Sequence, residues 1–180
     1  MTDPARTPDP AGLVAALPGG VGLIFRHYGH PDRGALARAA VEAARRRGVA
    51  ILIADDWDLA LRLGADGVHL PEYRLRRPGA ARAARRGPDW LVTAAAHGPR
   101  ALARARACGV DAALLSPVFA TESHDDRRPL GVARFAGLCR AAGLPIYGLG
   151  GISAANLRRL AVAGAAGIAG IGIFDPRGVR

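Results

Sequence analysis

The side chains most able to do chemistry gather just after short apolar runs. His27 and His30 follow residues 21–25, His69 closes the run at 66–70, His97 follows 90–95, and His124 lies in the irregular stretch after 111–116. Imidazole titrates near neutral pH and moves protons, so such residues suit general acid–base work. Their irregular spacing matches no metal-ligand pattern. One histidine alone is commonly a hydrogen-bonded structural residue; it is the shared location that points to a polar site. Asp55 and Asp56 after residues 49–54, and Glu72 after 66–70, add carboxylates of the kind a Mg²⁺ ion takes. Asp56 is equally suited to cap a helix beginning at Trp57. Arg26 brings a permanent charge that suits phosphate. Arg127 and Arg128 are either further anion ligands or plain solvated charges.

The stretch IYGLGGIS, residues 146–153, poses a separate question. Amides unshielded by side chains at the start of a helix form an anion seat. A tight strand-to-helix turn also needs glycine for geometry alone. Gly150 and Gly151, with Ser153 as the helix-capping residue behind them, are phosphate-binding candidates whose reading depends on the surrounding elements.

Those elements alternate. Short β-branched runs at 21–25, 49–54, 66–70, 90–95, 111–116, 144–149 and 166–174 have the length and apolar continuity of buried parallel strands. Between them lie Ala/Arg/Leu stretches of helical period. Residues 33–47, for example, put Leu36, Ala40, Val41 and Ala44 on one face and arginines on another. Gly48, Gly64, Gly109, Gly143 and Gly164 each stop a helix just before a strand. Repeated strand–helix units predict an α/β fold of the TIM (β/α)8-barrel type, in a single domain over residues 1–180. Seven runs are one short of eight. MTD reads as the end of a first strand, followed by a helix at about 9–17, and no last helix follows residue 174. This predicts a barrel truncated in its first strand, with the natural product starting upstream of Met1. Chemistry in such barrels sits on the loops after the strands, and the last two strands commonly hold a phosphate. On that frame the glycines after 144–149 favour the anion reading, with AGIGIF beside them, and the loop 116–131 reads as a substrate loop.

Composition narrows the function. The net charge is +10, and every basic residue is arginine. Arginines scattered over helix faces, without a nucleic-acid motif, read as solvated surface and predict no nucleic-acid partner. The absence of lysine rules out Schiff-base chemistry on a lysine amine. Cys108 and Cys139 sit in helical patterns and read as reduced core residues. With no apolar leader and no membrane-spanning run, the expectation is a cytoplasmic protein without a membrane partner.

Taken in order over about residues 1–174, the motifs resemble those of the thiamine phosphate synthase/TenI family. LGADGVHLPE resembles its Gly-Ala-Asp-Gly-Val-His-Leu segment, SPVFATESH its Gly-Pro-Val-Phe-x-Thr-x-Thr-Lys loop, and PLGVARF its Pro-Leu-Gly segment. GLGGIS and AGAAGIAGIGIF resemble the thiazole-phosphate end. The resemblance implies a TIM barrel that joins a pyrimidine pyrophosphate to a thiazole phosphate with Mg²⁺. It assigns Arg26 and Thr121 to substrate, Asp55 to the metal, and Gly151 with Ile171 and Gly172 to the thiazole phosphate. The chain departs from the family pattern at several positions. Tyr28 stands for a lysine, Ile24 for a glutamine, Ala54 for an asparagine, Arg74 for the second magnesium aspartate, Ala95 for a serine and His124 for the loop lysine. The phosphate half is thus kept, while the pyrophosphate–magnesium half is eroded. Two alternatives follow. A TenI-like thiazole tautomerase needs no metal; Pro117 stands where its catalytic histidine is expected, leaving His97 or His124 to carry the proton. The other is a non-catalytic thiazole-phosphate binder.

Overall fold

The computed structural model describes residues 1–77, 79–121 and 128–171. Seven strands alternate with seven helices among them: α1 (Pro10–Ala16), β1 (Leu23–Phe25), α2 (Arg33–Arg47), β2 (Ile51–Ala54), α3 (Trp57–Leu63), β3 (Gly67–Leu70), a 3-10 turn (Glu72–Arg76), α4 (Ala80–Ala84), β4 (Leu91–Ala96), α5 (Pro99–Cys108), β5 (Ala112–Leu115), α6 (Gly131–Ala142), β6 (Ile146–Leu149), α7 (Leu157–Val162) and β7 (Gly167–Ala169). Each strand coincides with an apolar run in the sequence. The last is shorter than 166–174, and residues 172–174 lie outside the described residues.

Local chemistry accounts for the helix ends. Asp9 accepts the Gly12 N–H at 2.9 Å ahead of Pro10, which starts α1 with a preset φ. Gly48, Gly64, Gly109 and Gly143 all sit in the left-handed region directly after a helix, where a Cβ would be strained. α2 buries Ala37, Ala40, Val41, Ala43 and Ala44 and leaves Arg38, Arg45, Arg46 and Arg47 exposed, while Arg33 at its start is half-buried.

The chain forms two compact units. The first comprises Met1–His69 and Arg85–Leu91, with Ile171. In it β1, β2 and β3 pair in parallel, Leu23 opposite Ile51 and Ile53 opposite Val68. α1 packs on α2, and α2 on α3. The Thr2 N–H donates to the Ile24 carbonyl at 2.9 Å, the bond a neighbouring strand would make. Phe25, Ile51, Ile53 and Val68 are fully buried in this unit.

The second unit comprises Leu70–Ala84 and Val92–Gly170. Here β4 to β7 pair in parallel, with Thr93 opposite Ala112, Ala113 opposite Ile146 and Tyr147 opposite Gly167. α5 packs on the 3-10 turn and on α6, and α6 on α7. Phe135 and Leu160 cover Gly148, where a Cβ would stand 3.4 and 3.0 Å from them. Cys108 and Cys139 are free thiols.

Candidate active site

In the first unit the polar residues after β1 and β2 form one hydrogen-bonded cluster. His27 is buried. Its Nε2 lies 3.1 Å from the Thr7 carbonyl, which can only accept, so Nε2 carries the proton. Nδ1 then accepts from the Thr2 hydroxyl at 2.9 Å, and that hydroxyl in turn accepts the Arg26 N–H at 2.9 Å. Stacked on Phe25 with ring centroids 4.8 Å apart, this imidazole is a structural brace. Burial holds its pKa below the usual value. His69, at the end of β3, is also buried. Burial first, and the Arg26 charge second, push its pKa down to about 3, so it is neutral at physiological pH.

Asp55 and Asp56 separate cleanly. Asp56 caps α3, accepting the Leu59 N–H at 2.9 Å on one oxygen and Arg33 Nη1 at 2.7 Å on the other. Asp55 has φ +58°, and His27 has φ +32°; among the described residues no other non-glycine has positive φ. Such a backbone costs about 1–2 kcal/mol per residue. Arg33 offsets it. Its Nη2 donates to the Ala54 carbonyl at 2.7 Å and its Nε to the Arg26 carbonyl at 3.3 Å, and charged hydrogen bonds contribute about 1.5–3 kcal/mol each. The guanidinium of Arg26 stands 5.7 Å from the Tyr28 ring centroid, and that of Arg33 6.0 Å from it.

In the second unit Glu72 reaches from the 3-10 turn to accept the His97 N–H at 3.0 Å, and its other oxygen lies 3.4 Å from Arg104 Nη2. His97 Nδ1 lies 3.0 Å from the Ser116 carbonyl. That oxygen can only accept, so Nδ1 carries the proton and Nε2 is the basic nitrogen of the neutral ring.

The glycine turn after β6 is closely packed. Gly150 and Gly151 have φ +97° and +63°. A Cβ on Gly150 would meet Pro117, and one on Gly151 would collide with the Phe119–Ala120 backbone. The Leu149 carbonyl accepts the Val118 N–H at 2.9 Å, and that of Gly150 accepts the Phe119 N–H at 3.1 Å. Asn156 donates to the Gly151 carbonyl at 2.8 Å and accepts the Ser153 N–H at 2.9 Å. Two sequence expectations are corrected here. The helix does not start directly behind the glycines but at Leu157, and its cap position is Asn156, because the Asn156 side chain closes Gly151–Ser153 into a turn of its own. Geometry alone therefore already demands both glycines.

The remaining expected residues lie as follows. Thr121 is half-buried and Arg128 is exposed at the two described ends of the loop after β5. Leu130 N–H to Pro117 O and Gly131 N–H to Val118 O, each 3.0 Å, tie the base of that loop. Ile171 is half-buried. His124, Arg127 and Gly172 lie outside the described residues. For magnesium the fit is poor. Asp56 spends both oxygens inside the protein, Glu72 is engaged by His97 and Arg104, and no group of three His, Cys, Asp or Glu among the described residues could hold a metal ion. No helix among them is long and apolar enough to cross a membrane.

Parallel strands alternating with helices, with polar residues and glycine turns behind the strand ends, define a TIM-barrel-type protein. A thiamine phosphate pyrophosphorylase from Pyrococcus furiosus shares this fold at a TM-score of 0.79 and 24% identity, over 99% of this chain and 87% of that one. In sequence, the chain is 38% identical to a putative thiamine-phosphate synthase of Geobacter sulfurreducens, over 91% of this chain and 79% of the relative. It is also 38% identical to a thiamine-phosphate synthase of Methanoculleus marisnigri, over 89% and 76%. The chain belongs to the thiamine monophosphate synthase (TMP-TENI) family, whose model matches residues 2–174.

Proposed function

We propose that the protein is a transferase that joins a pyrimidine pyrophosphate to a thiazole phosphate. The carbon–oxygen bond to pyrophosphate breaks, its electron pair leaves with the pyrophosphate, and the thiazole nitrogen supplies the pair for the new carbon–nitrogen bond. Such a reaction asks mainly for charge placed against the leaving group. Arg26 is the group we assign to that task, with Arg127 and Arg128 of the loop after β5 as further cations and Thr121 as a substrate contact. Gly150, Gly151, Ile171 and Gly172 are assigned to the thiazole phosphate. The observation that carries the reading is the family match over residues 2–174. The phosphate assignment of Gly150 and Gly151 rests on the same family likeness, since packing against Pro117 and Phe119–Ala120 by itself requires both glycines. The test is incubation of the purified protein with both substrates, expecting thiamine phosphate and pyrophosphate in equal amounts. Binding of the thiazole phosphate without turnover would instead make it a binding protein.

One observation favours a second reading. His97, with Nδ1 anchored on the Ser116 carbonyl, is a proton carrier of fixed tautomer, as a metal-free thiazole tautomerisation requires. Isomerisation of the thiazole phosphate in the absence of the pyrimidine substrate, lost in His97→Gln, would select that reading.

A further inference from the structure

The first unit's two left-handed non-glycine residues share a feature. Each directly follows a carbonyl held by the same guanidinium: Arg26 O precedes His27, and Ala54 O precedes Asp55. The third arm of Arg33 reaches the Asp56 carboxylate, so two arms of the fork bracket Asp55 on both sides. A peptide plane held at its carbonyl fixes the torsion of the residue behind it. One side chain on α2 therefore sets the backbone at the ends of both β1 and β2. Tyr28, whose ring lies within 6.0 Å of both the Arg26 and the Arg33 guanidinium, follows His27 directly.

We propose that Arg33 is a positioning residue for anion binding: by clamping the Arg26 and Ala54 carbonyls and the Asp56 carboxylate, it holds the two turns that present Arg26 and Asp55. The inference rests on the reading of this unit as the pyrophosphate half of the protein and adds a residue that touches no substrate itself. A lysine cannot replace it, because one ammonium lacks the planar fork that reaches three acceptors on two separate turns.

The experiment is titration calorimetry with inorganic pyrophosphate and, separately, thiazole phosphate, on the wild type, Arg33→Lys and Arg33→Ala, each with its thermal midpoint. Pyrophosphate affinity falls at least about tenfold in Arg33→Lys, thiazole-phosphate affinity stays within about twofold, and guanidinium ion added to Arg33→Ala restores part of the pyrophosphate binding. Should Arg33→Lys fail to fold, Asp56→Asn serves in its place. It keeps the cap on Leu59 and releases one arm of the clamp, giving a smaller loss on pyrophosphate alone. Unchanged pyrophosphate affinity in the variants, or equal loss of both ligands without guanidinium rescue, overturns the proposal while leaving the proposed function intact. A wild-type protein that binds no pyrophosphate but binds thiazole phosphate overturns the reading of this half-site instead, and the proposal with it.

Discussion

Asp55 and Asp56 are adjacent, chemically identical, and put to different uses. The sequence already offers Asp56 as the cap of a helix beginning at Trp57, and the Leu59 amide bears that out; only the fold reveals that Arg33 takes its other oxygen while Asp55 adopts the left-handed turn between the two clamped groups. Arg33 itself was invisible, since a chain with arginine as its sole basic side chain offers nothing to distinguish one guanidinium at a helix start from the others. The histidines divide in the same way. Their position behind strands is legible, but whether an imidazole braces or reacts depends on its partners. His27 is spent on Thr2 and Thr7, and His69 is buried. For His69 a titration follows. Its pKa is about 3 when folded and near 6.5 when unfolded, so the unfolded chain takes up a proton that the folded one refuses. Its contribution is fully present above pH 6.5 and is lost as pH falls toward 3, at a limiting slope of about 1.4 kcal/mol per pH unit. The His69 ring resonances are expected to stay at their neutral positions in NMR spectra down to about pH 4; a midpoint near 6.5 would mean that the ring is solvated.

At the level of elements, hydrophobic period and glycine stops were enough to locate the seven strands among the described residues, because buried parallel strands and left-handed C-caps are local properties of sequence. The segment after β6 escaped. Its turn is closed by Asn156, a residue beyond the glycines whose side chain takes the place of helical hydrogen bonds. Asn156→Ala removes two hydrogen bonds of about 1 kcal/mol each. We expect a stability loss of about 1–2 kcal/mol by urea denaturation, and weaker thiazole-phosphate binding because the Gly151 carbonyl is released. Undiminished affinity would detach the phosphate from this turn. The α6–β6 packing is a separate test of the element. Phe135 is fully buried over Gly148, so Phe135→Ala is expected to cost about 3–5 kcal/mol, read as a fall in denaturation midpoint at constant slope.

For the molecule as a whole, the remaining question is how a chain of net charge +10 with few committed metal ligands meets a pyrophosphate. A magnesium ion stabilises a departing pyrophosphate by several kcal/mol, and the protein's share of its ligands is one or two carboxylates beside the substrate's own oxygens. Asp56 and Glu72 are already engaged, and Arg74 stands where the resemblance expects an acid. Guanidinium groups supply positive charge without a donor cage, and their charge does not depend on pH in any range where the protein folds. Turnover is therefore expected to be slow and to change by less than about tenfold, or about 1.4 kcal/mol in the barrier, between excess chelator and saturating Mg²⁺. The measurement is the initial rate of pyrophosphate release across a magnesium titration at fixed ionic strength. Fast turnover that collapses on chelation would mean that Asp55 holds the ion together with the oxygens of the pyrophosphate. Asp55→Asn would then abolish activity, whereas under the guanidinium account the same substitution lowers the rate only modestly and Arg26→Gln is the damaging change.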